Sequence, residues 1–202
     1  MSIAVAVSKG DLTVIAADSQ ENFGDRKLLR ANHRAAKIAR VGSSYLAITG
    51  WGLYENILED YLAKVGSPRL SERKAIFSFF VKLWKELGKR YSLVNDQPHT
   101  DDPSPFADLD SSFLIANSAG IFHVSGNLTV SQFDQYYAVG SCASYALGAL
   151  SALYEQSRDV EDMARRACEA AMAFDIYCGG ELDVYRVPRA GKKQRRTARR
   201  RR

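Results

Sequence analysis

The chain has 202 residues, 46% hydrophobic and 25% charged, enough for one sizeable core and too apolar for a largely disordered chain. No apolar run approaches the ~18 residues of a membrane span, and no basic region precedes the first strand, so the expectation is a cytoplasmic protein without a span or secretion signal. The formal charge of +5 comes from the end of the chain: residues 190–202 hold eight Lys or Arg and no acid, leaving 20 basic against 23 acidic residues over 1–189.

Ile3 to Ser8 and Leu12 to Ala17 are two apolar runs around Lys9-Gly10-Asp11, and they read as a β-hairpin. With a three-residue loop, Ser8 faces Leu12 and Ser2 stands opposite Asp18, while Ile3, Val5, Val7, Thr13 and Ile15 form one buried face. Glu21 to Arg34 is a polar loop. A second hairpin follows, with strands Ala35 to Val41 and Tyr45 to Thr49 around Gly42-Ser43-Ser44. Its alternation puts Lys37 on one side with Ala35 and Ala39, an unusual place for a charge on a strand.

Gly50-Trp51-Gly52 leads into an amphipathic helix over Leu53 to Val65, with Leu53, Ile57, Leu58, Tyr61 and Leu62 on one stripe. A second helix starts at Ser71 and runs to about Leu93 through Ile76, Phe80, Leu83 and Leu87. Asn95 to Asp110, rich in Asp and Pro, is an exposed loop. Strands resume at Ser112 to Asn117, Ile121 to Ser125 and Gln135 to Val139. Helices then cover Tyr145 to Tyr154 and Val160 to Phe174, the latter introduced by Asp159, and Leu182 to Val187 is a last strand.

Hairpins alternating with helix pairs imply an α+β fold: a four-layer α-β-β-α sandwich of two antiparallel sheets over residues 1–188, followed by a basic, disordered tail over 189–202. The tail could hold a polyanion, but it lacks aromatic interleaving and no nucleic-acid module accompanies it, so a nucleic-acid partner is not expected. Cys142, Cys168 and Cys178 are odd in number and lack CxxC spacing, which argues for reduced thiols. His33, His99 and His123 are far apart and give no metal-ligand spacing; neither a metal nor a cofactor is expected.

The chemistry rests on Ser2, Asp18 and Lys37, since the chain has no GxGxxG, P-loop or G-x-S-x-G. Removal of Met1 would leave a free α-amine on the residue that carries the hydroxyl, combining nucleophile and base. Such an amine titrates at about 7.7–8, and a neighbouring Lys⁺ lowers it further. The plain alternative is a chain that merely begins Met-Ser and an Asp–Lys pair that is only structural.

An N-terminal hydroxyl residue, a strand ending Ala-Ala-Asp18-Ser, a strand lysine at Lys37 and a glycine turn at 50–52 together resemble the proteasome β-subunit and HslV family. In the second half, Tyr137-Ala-Val-Gly140-Ser141 resembles that family's Gly-Ser-Gly turn, and Asp175-Ile-Tyr-Cys178-Gly179-Gly180 its Asp-x-x-Ser-Gly-Gly. The similarity runs over about residues 2–187 and preserves the order of elements.

The resemblance implies an N-terminal nucleophile hydrolase, a threonine/serine-type endopeptidase acting on peptides or unfolded protein. It further implies homo-oligomeric stacked rings, with an ATP-dependent unfoldase as a possible partner. By position, Ser2 is the nucleophile, Lys37 and Asp18 its charge pair, and Ser141, Asp175 and Cys178 supporting hydrogen-bond partners. The oxyanion donor is a backbone N–H within Gly50, Trp51 and Gly52, and the pocket positions are Ala35, Ala39, Thr49 and Leu53, whose small uncharged walls favour a hydrophobic substrate side chain, with Glu21 at the pocket's edge pointing to solvent. Serine stands first where the family usually has threonine, Cys178 replaces a serine, Cys142 replaces a glycine, and Trp51 falls at one alignment of the family's glycine. A catalytically silent ring subunit and a small-molecule amidase on the same fold are the alternative readings.

Overall fold

The computed structural model describes residues 2–28, 32–33, 36–91 and 109–189. Strands β1 (Ala4–Lys9) and β2 (Leu12–Asp18) form the expected hairpin with a tighter turn, Gly10 and Asp11 alone. Gly10 has φ +64° at the first loop position, where a II′-type turn needs a positive angle. Lys9 therefore pairs with Leu12 and the whole register moves by one, so Asp18 meets Ile3 rather than Ser2. The same slip splits the expected buried face. Ile3, Val5 and Val7 pack with Val14 and Ala16, whereas Ile15 and Ala17 join Ala4 and Ala6 on the opposite side. Both sides are buried, so apolar residues on either register satisfy the sequence pattern.

This hairpin is the centre of a four-stranded antiparallel sheet in the order β10–β1–β2–β11, with β10 at Tyr136–Val139 and β11 at Leu182–Pro188. The second sheet is antiparallel in the order β5–β6–β7–β8–β9, formed by Ile38–Val41, Ser44–Gly50, Ser111–Asn117, Gly120–Val124 and Val130–Phe133. β9 is not expected from the sequence, because its four residues, Val-Ser-Gln-Phe, are too few to show alternation.

Three further boundaries differ. The polar stretch after Gln20 contains a small hairpin, β3 (Glu21–Phe23) and β4 (Arg26–Leu28), closed by Gly24 at φ +61°. β5 starts at Ile38, so Lys37 precedes the strand, although its carbonyl still accepts Ile48 N–H at 3.0 Å; Ala35 lies outside the described residues. Helix α1 spans Leu53–Val65 as expected, whereas α2 spans Arg73–Arg90: it starts later than expected, with no side-chain cap from Glu72, and ends where Tyr91 leaves helical geometry at φ −115° and ψ 69°.

Three apolar layers hold the sandwich together. Helices α1 and α2 bury Tyr54, Ile57, Phe80 and Leu83 against Leu46, Phe113 and Phe122 of the second sheet. Between the sheets the side chains are mostly small: Ala4, Ala6, Ala17, Ala47 and Ala116, with Ile15, Ile38 and Leu114. Helices α3 (Ala143–Leu153) and α4 (Val160–Phe174) cover the first sheet through Ala146, Leu150, Met163 and Ala167. Asp159 caps α4, its Oδ1 accepting Glu161 N–H and Asp162 N–H at 3.0 Å each. The fold is α+β, a four-layer α-β-β-α sandwich. The start of β1, the ends of β2, β6 and β10, and the start of β11 all lie at one end of the sheets.

Candidate active site

Asp18, the last residue of β2, is fully buried with both carboxylate oxygens engaged. Oδ1 accepts from Lys37 Nζ at 2.6 Å and from Ile3 N–H at 3.0 Å, and Oδ2 accepts Gly179 N–H at 3.0 Å. Lys37 is only 4% exposed. An ion pair this deep recovers its desolvation cost only when further hydrogen bonds satisfy the remaining lone pairs, and two backbone amides do so here. Because Ile3 N–H and Lys37 share one oxygen, the cation is fixed beside the backbone that carries Ser2. The contact expected between Ser2 and Asp18 as direct neighbours is thus replaced by one through the Ile3 amide, a consequence of the register shift.

Ser2 is nearly buried, and its carbonyl lies over Gly140, which has φ +111°. A Cβ at Gly140 would overlap that carbonyl, so glycine is needed there for both conformation and close approach. Ser141 beside it is exposed, with Oγ 3.8 Å from Cys142 Sγ. Asp175 ends α4, and its Oδ1 accepts Tyr177 N–H at 2.8 Å, which shapes the loop that follows. That loop is tied to the end of β2: Gly179 O accepts Ser19 N–H at 3.2 Å and Gln20 N–H at 2.9 Å, Gln20 Nε2 donates to Ile176 O at 2.9 Å, and Glu181 N–H donates to Ser19 Oγ at 2.9 Å.

The cysteines depart from the reduced state expected of them. Cys142 and Cys178 are joined as a disulfide, with Cα atoms 7.3 Å apart and a sequence separation of 36. Cys142 Sγ is also 3.5 Å from the Ser2 carbonyl oxygen. Cys142, Asp175 and Cys178 place ligand-type atoms within 4.8 Å of one another, a cluster the sequence spacing did not indicate. The sulfurs, bonded to each other, are not available as thiolate ligands in this state. Cys168 is free and buried, and burial pushes its thiol far above the ordinary range.

At the glycine turn, Gly50 has φ +126°, and a Cβ there would collide with Asp110 O and Ser111. Trp51 is 59% exposed, so most of its surface faces solvent. Gly52 is the N-cap of α1 at φ −59°. Of the expected pocket residues, Thr49 is buried and its Oγ1 donates to Ser112 O at 3.4 Å, Leu53 packs on the α1–α2 core, and Ala39 pairs with Leu46. Glu21 lies on β3 with its carboxylate 3.4 Å from His33 Nδ1.

Glu55, on the first turn of α1, was not singled out by the sequence. Burial raises its carboxyl to about 7, the negative charge of Glu21 adds to the rise, and Lys37 opposes it. Gly140, the Gly179 amide, the Ile3 amide and Cys142 were missed as site components as well. The signal available for them was weak, because backbone amides carry no side-chain signature and the cysteines have no local spacing.

No family model matches the chain. A solved structure titled Thiobacillus denitrificans BPH in complex with Epoxomicin is 34% identical, covers 93% of this chain and 99% of that one, and superposes with a TM-score of 0.83. The proteasome subunit beta of Nanoarchaeum equitans is 23% identical over 194 residues, 95% of each chain. The ATP-dependent protease subunit HslV of Caldanaerobacter subterraneus subsp. tengcongensis is 29% identical over 192 residues, covering 89% of this chain and 94% of that protein. With the sandwich, the anchored N-terminal strand and the Asp18–Lys37 pair in place, this chain belongs to the proteasome β-subunit and HslV family.

Proposed function

We propose that the protein is an N-terminal nucleophile peptidase of serine type, cleaving peptide bonds through an acyl-enzyme on Ser2 once Met1 has been removed. The observation that carries this reading is the single Asp18 oxygen that holds both Lys37 Nζ and Ile3 N–H, seating a buried cation one residue from Ser2. Near neutral pH the freed α-amine takes the proton of the Ser2 hydroxyl as Oγ attacks the peptide carbonyl. The resulting oxyanion is met by a backbone N–H of the Gly50–Gly52 turn. Collapse expels the leaving amine, which takes the proton back, and leaves an ester on Oγ; water, deprotonated by the same amine, hydrolyses that ester and regenerates Ser2. Lys37 keeps the amine basic only near neutrality by opposing its protonation, and Ser141 and Asp175 support the amine by position.

Ala39, Thr49 and Leu53 are the described pocket positions, with Glu21 at the edge, and apolar residues such as Leu or Tyr are the substrate side chains they accept. The relatives named as subunits of an ATP-dependent protease support assembly into rings and a partner ATPase that delivers unfolded protein. Of the basic segment 189–202, residues 190–202 lie outside the described residues; the eight Lys or Arg among them support a docking role toward a partner.

Intact-mass measurement of the purified protein, paired with peptide hydrolysis by the wild type and Ser2→Ala, tests the proposal. A mass lacking Met1, turnover by the wild type and none by Ser2→Ala are expected. Retained Met1, or equal turnover by Ser2→Ala, would remove Ser2 from the chemistry.

A further inference from the structure

Two sulfurs meet where the supports of the nucleophile meet. Cys142 lies directly after the Gly140-Ser141 turn and contacts the Ser2 carbonyl at 3.5 Å; Cys178 directly precedes Gly179, whose N–H holds Asp18 Oδ2. The two segments come from opposite ends of α3 and α4, and the Cys142–Cys178 bond is the covalent link between them. Their Cα atoms stand 7.3 Å apart, beyond the roughly 4.4–6.8 Å usual for a disulfide, so making or breaking the bond goes with movement of one or both segments. Any such movement is passed on to Ser2 through Gly140, where no side chain separates the two backbones.

We propose that Cys142 and Cys178 are a reversible thiol–disulfide switch on the nucleophile's seat, with the oxidised form the less active one. The inference rests on the peptidase reading above. The oxidant class is a small hydroperoxide. Cys178, 4% exposed against 0% for Cys142, is the first to react. Its thiolate attacks the O–O bond and becomes a sulfenic acid, while the second oxygen leaves as water or an alcohol. The Cys142 thiol then displaces the sulfenic oxygen as a second water, so two thiols lose two electrons and two protons and one S–S bond forms. A dithiol reductant reverses the exchange. Oxidation removes the Cys142 S–H donor beside the Ser2 carbonyl and fixes the Cys142 segment to the loop of Gly179. A misplacement of about 1 Å in a catalytic group costs on the order of a hundredfold, so a smaller shift suffices for a tenfold effect. Cys168 takes no part, because it has no sulfur partner in the Cys142–Cys178 bridge.

The test compares protein treated with hydrogen peroxide and with dithiothreitol. Intact mass should fall by about 2 Da on oxidation, with Cys142 and Cys178 recovered in one cross-linked peptide. The specificity constant kcat/KM for a fluorogenic peptide should drop at least tenfold and return on reduction, carried by kcat rather than KM. Cys168→Ala should respond like the wild type, whereas Cys142→Ala and Cys178→Ala should each show an oxidised-to-reduced activity ratio near one. Equal turnover of the bridged and reduced forms, or an undiminished response in Cys142→Ala, would overturn the switch. Absence of turnover in both redox states would instead be the failure of the peptidase reading, and the switch would fall with it.

Discussion

Lys37 Nζ stands 2.6 Å from Asp18 Oδ1, with both side chains almost entirely withdrawn from solvent. They lie nineteen positions apart in sequence, Asp18 at the end of β2 in one sheet and Lys37 immediately before β5 of the other. The pair therefore bridges the two β-layers at the end of the sandwich where Ser2 lies.

Replacing Lys37 by Ala should leave a folded, inactive protein. Asp18 keeps the Ile3 and Gly179 amides, so the stability loss should be about 3 kcal/mol, the lower end for breaking a buried ion pair. Lys37→Arg should not restore turnover, because the planar guanidinium cannot take the place of a compact ammonium. Urea unfolding and a peptide-hydrolysis assay check both halves, and near-normal turnover in either variant would reduce the lysine to a structural role.

The glycines of the two turns should respond unequally to alanine. Gly140→Ala adds a methyl against the Ser2 carbonyl at a backbone angle of +111° and should cost about 2–3 kcal/mol, with turnover lost even where the protein is folded. Gly52→Ala places its methyl in open space at φ −59° and should change stability by less than about 1 kcal/mol. Thermal melts of the two variants side by side would show the contrast.

Glu55 supplies a pH dependence. Its folded-state value of about 7 lies above the ordinary 4.5, so the folded protein holds more protons than the unfolded chain between those limits. The stability contributed by that proton is fully present below pH 4.5 and is lost as pH rises through 7. Glu55→Gln should therefore gain stability relative to the wild type on going from pH 5 to pH 8. Parallel melting curves at the two pH values, with no change in the difference between the proteins, would contradict this.

Asp159→Ala should destabilise the protein by about 1 kcal/mol through loss of the α4 cap. The melting temperature should fall by roughly 2–4 °C for a chain of this size. Turnover at 25 °C should be unaffected, since Asp159 is at the end of α4 opposite to Asp175.

Much of this architecture is legible in the sequence because the decisive signals are local. Asp159 with Glu161 and Asp162 marks the start of α4, and the stripe from Leu53 to Leu62 marks α1. The hairpin of β1 and β2 is equally visible, yet its register is not: a two-residue and a three-residue turn around Gly10 differ by one step, and apolar side chains on both faces of the strands fit either choice. That step decides whether Asp18 addresses Ser2 or the Ile3 amide. Lys37 is recognisable as an odd charge among small residues, but its partner becomes visible only through the resemblance or the fold. The Cys142–Cys178 bond has no local sign at all, because its two ends are brought together by the packing of α3 against α4. Glu55 reads as an ordinary acid on the first turn of a helix until the neighbouring Glu21 and the burial around it are known.

The carboxylate of Asp18 takes its three partners from Ile3, Lys37 and Gly179. The first belongs to the N-terminal strand, the last to the loop after α4. The carboxylate is satisfied on both oxygens only when that loop has docked on the end of β2, so the seat of the strand bearing Ser2 is completed by the far end of the domain and exists only in the finished fold.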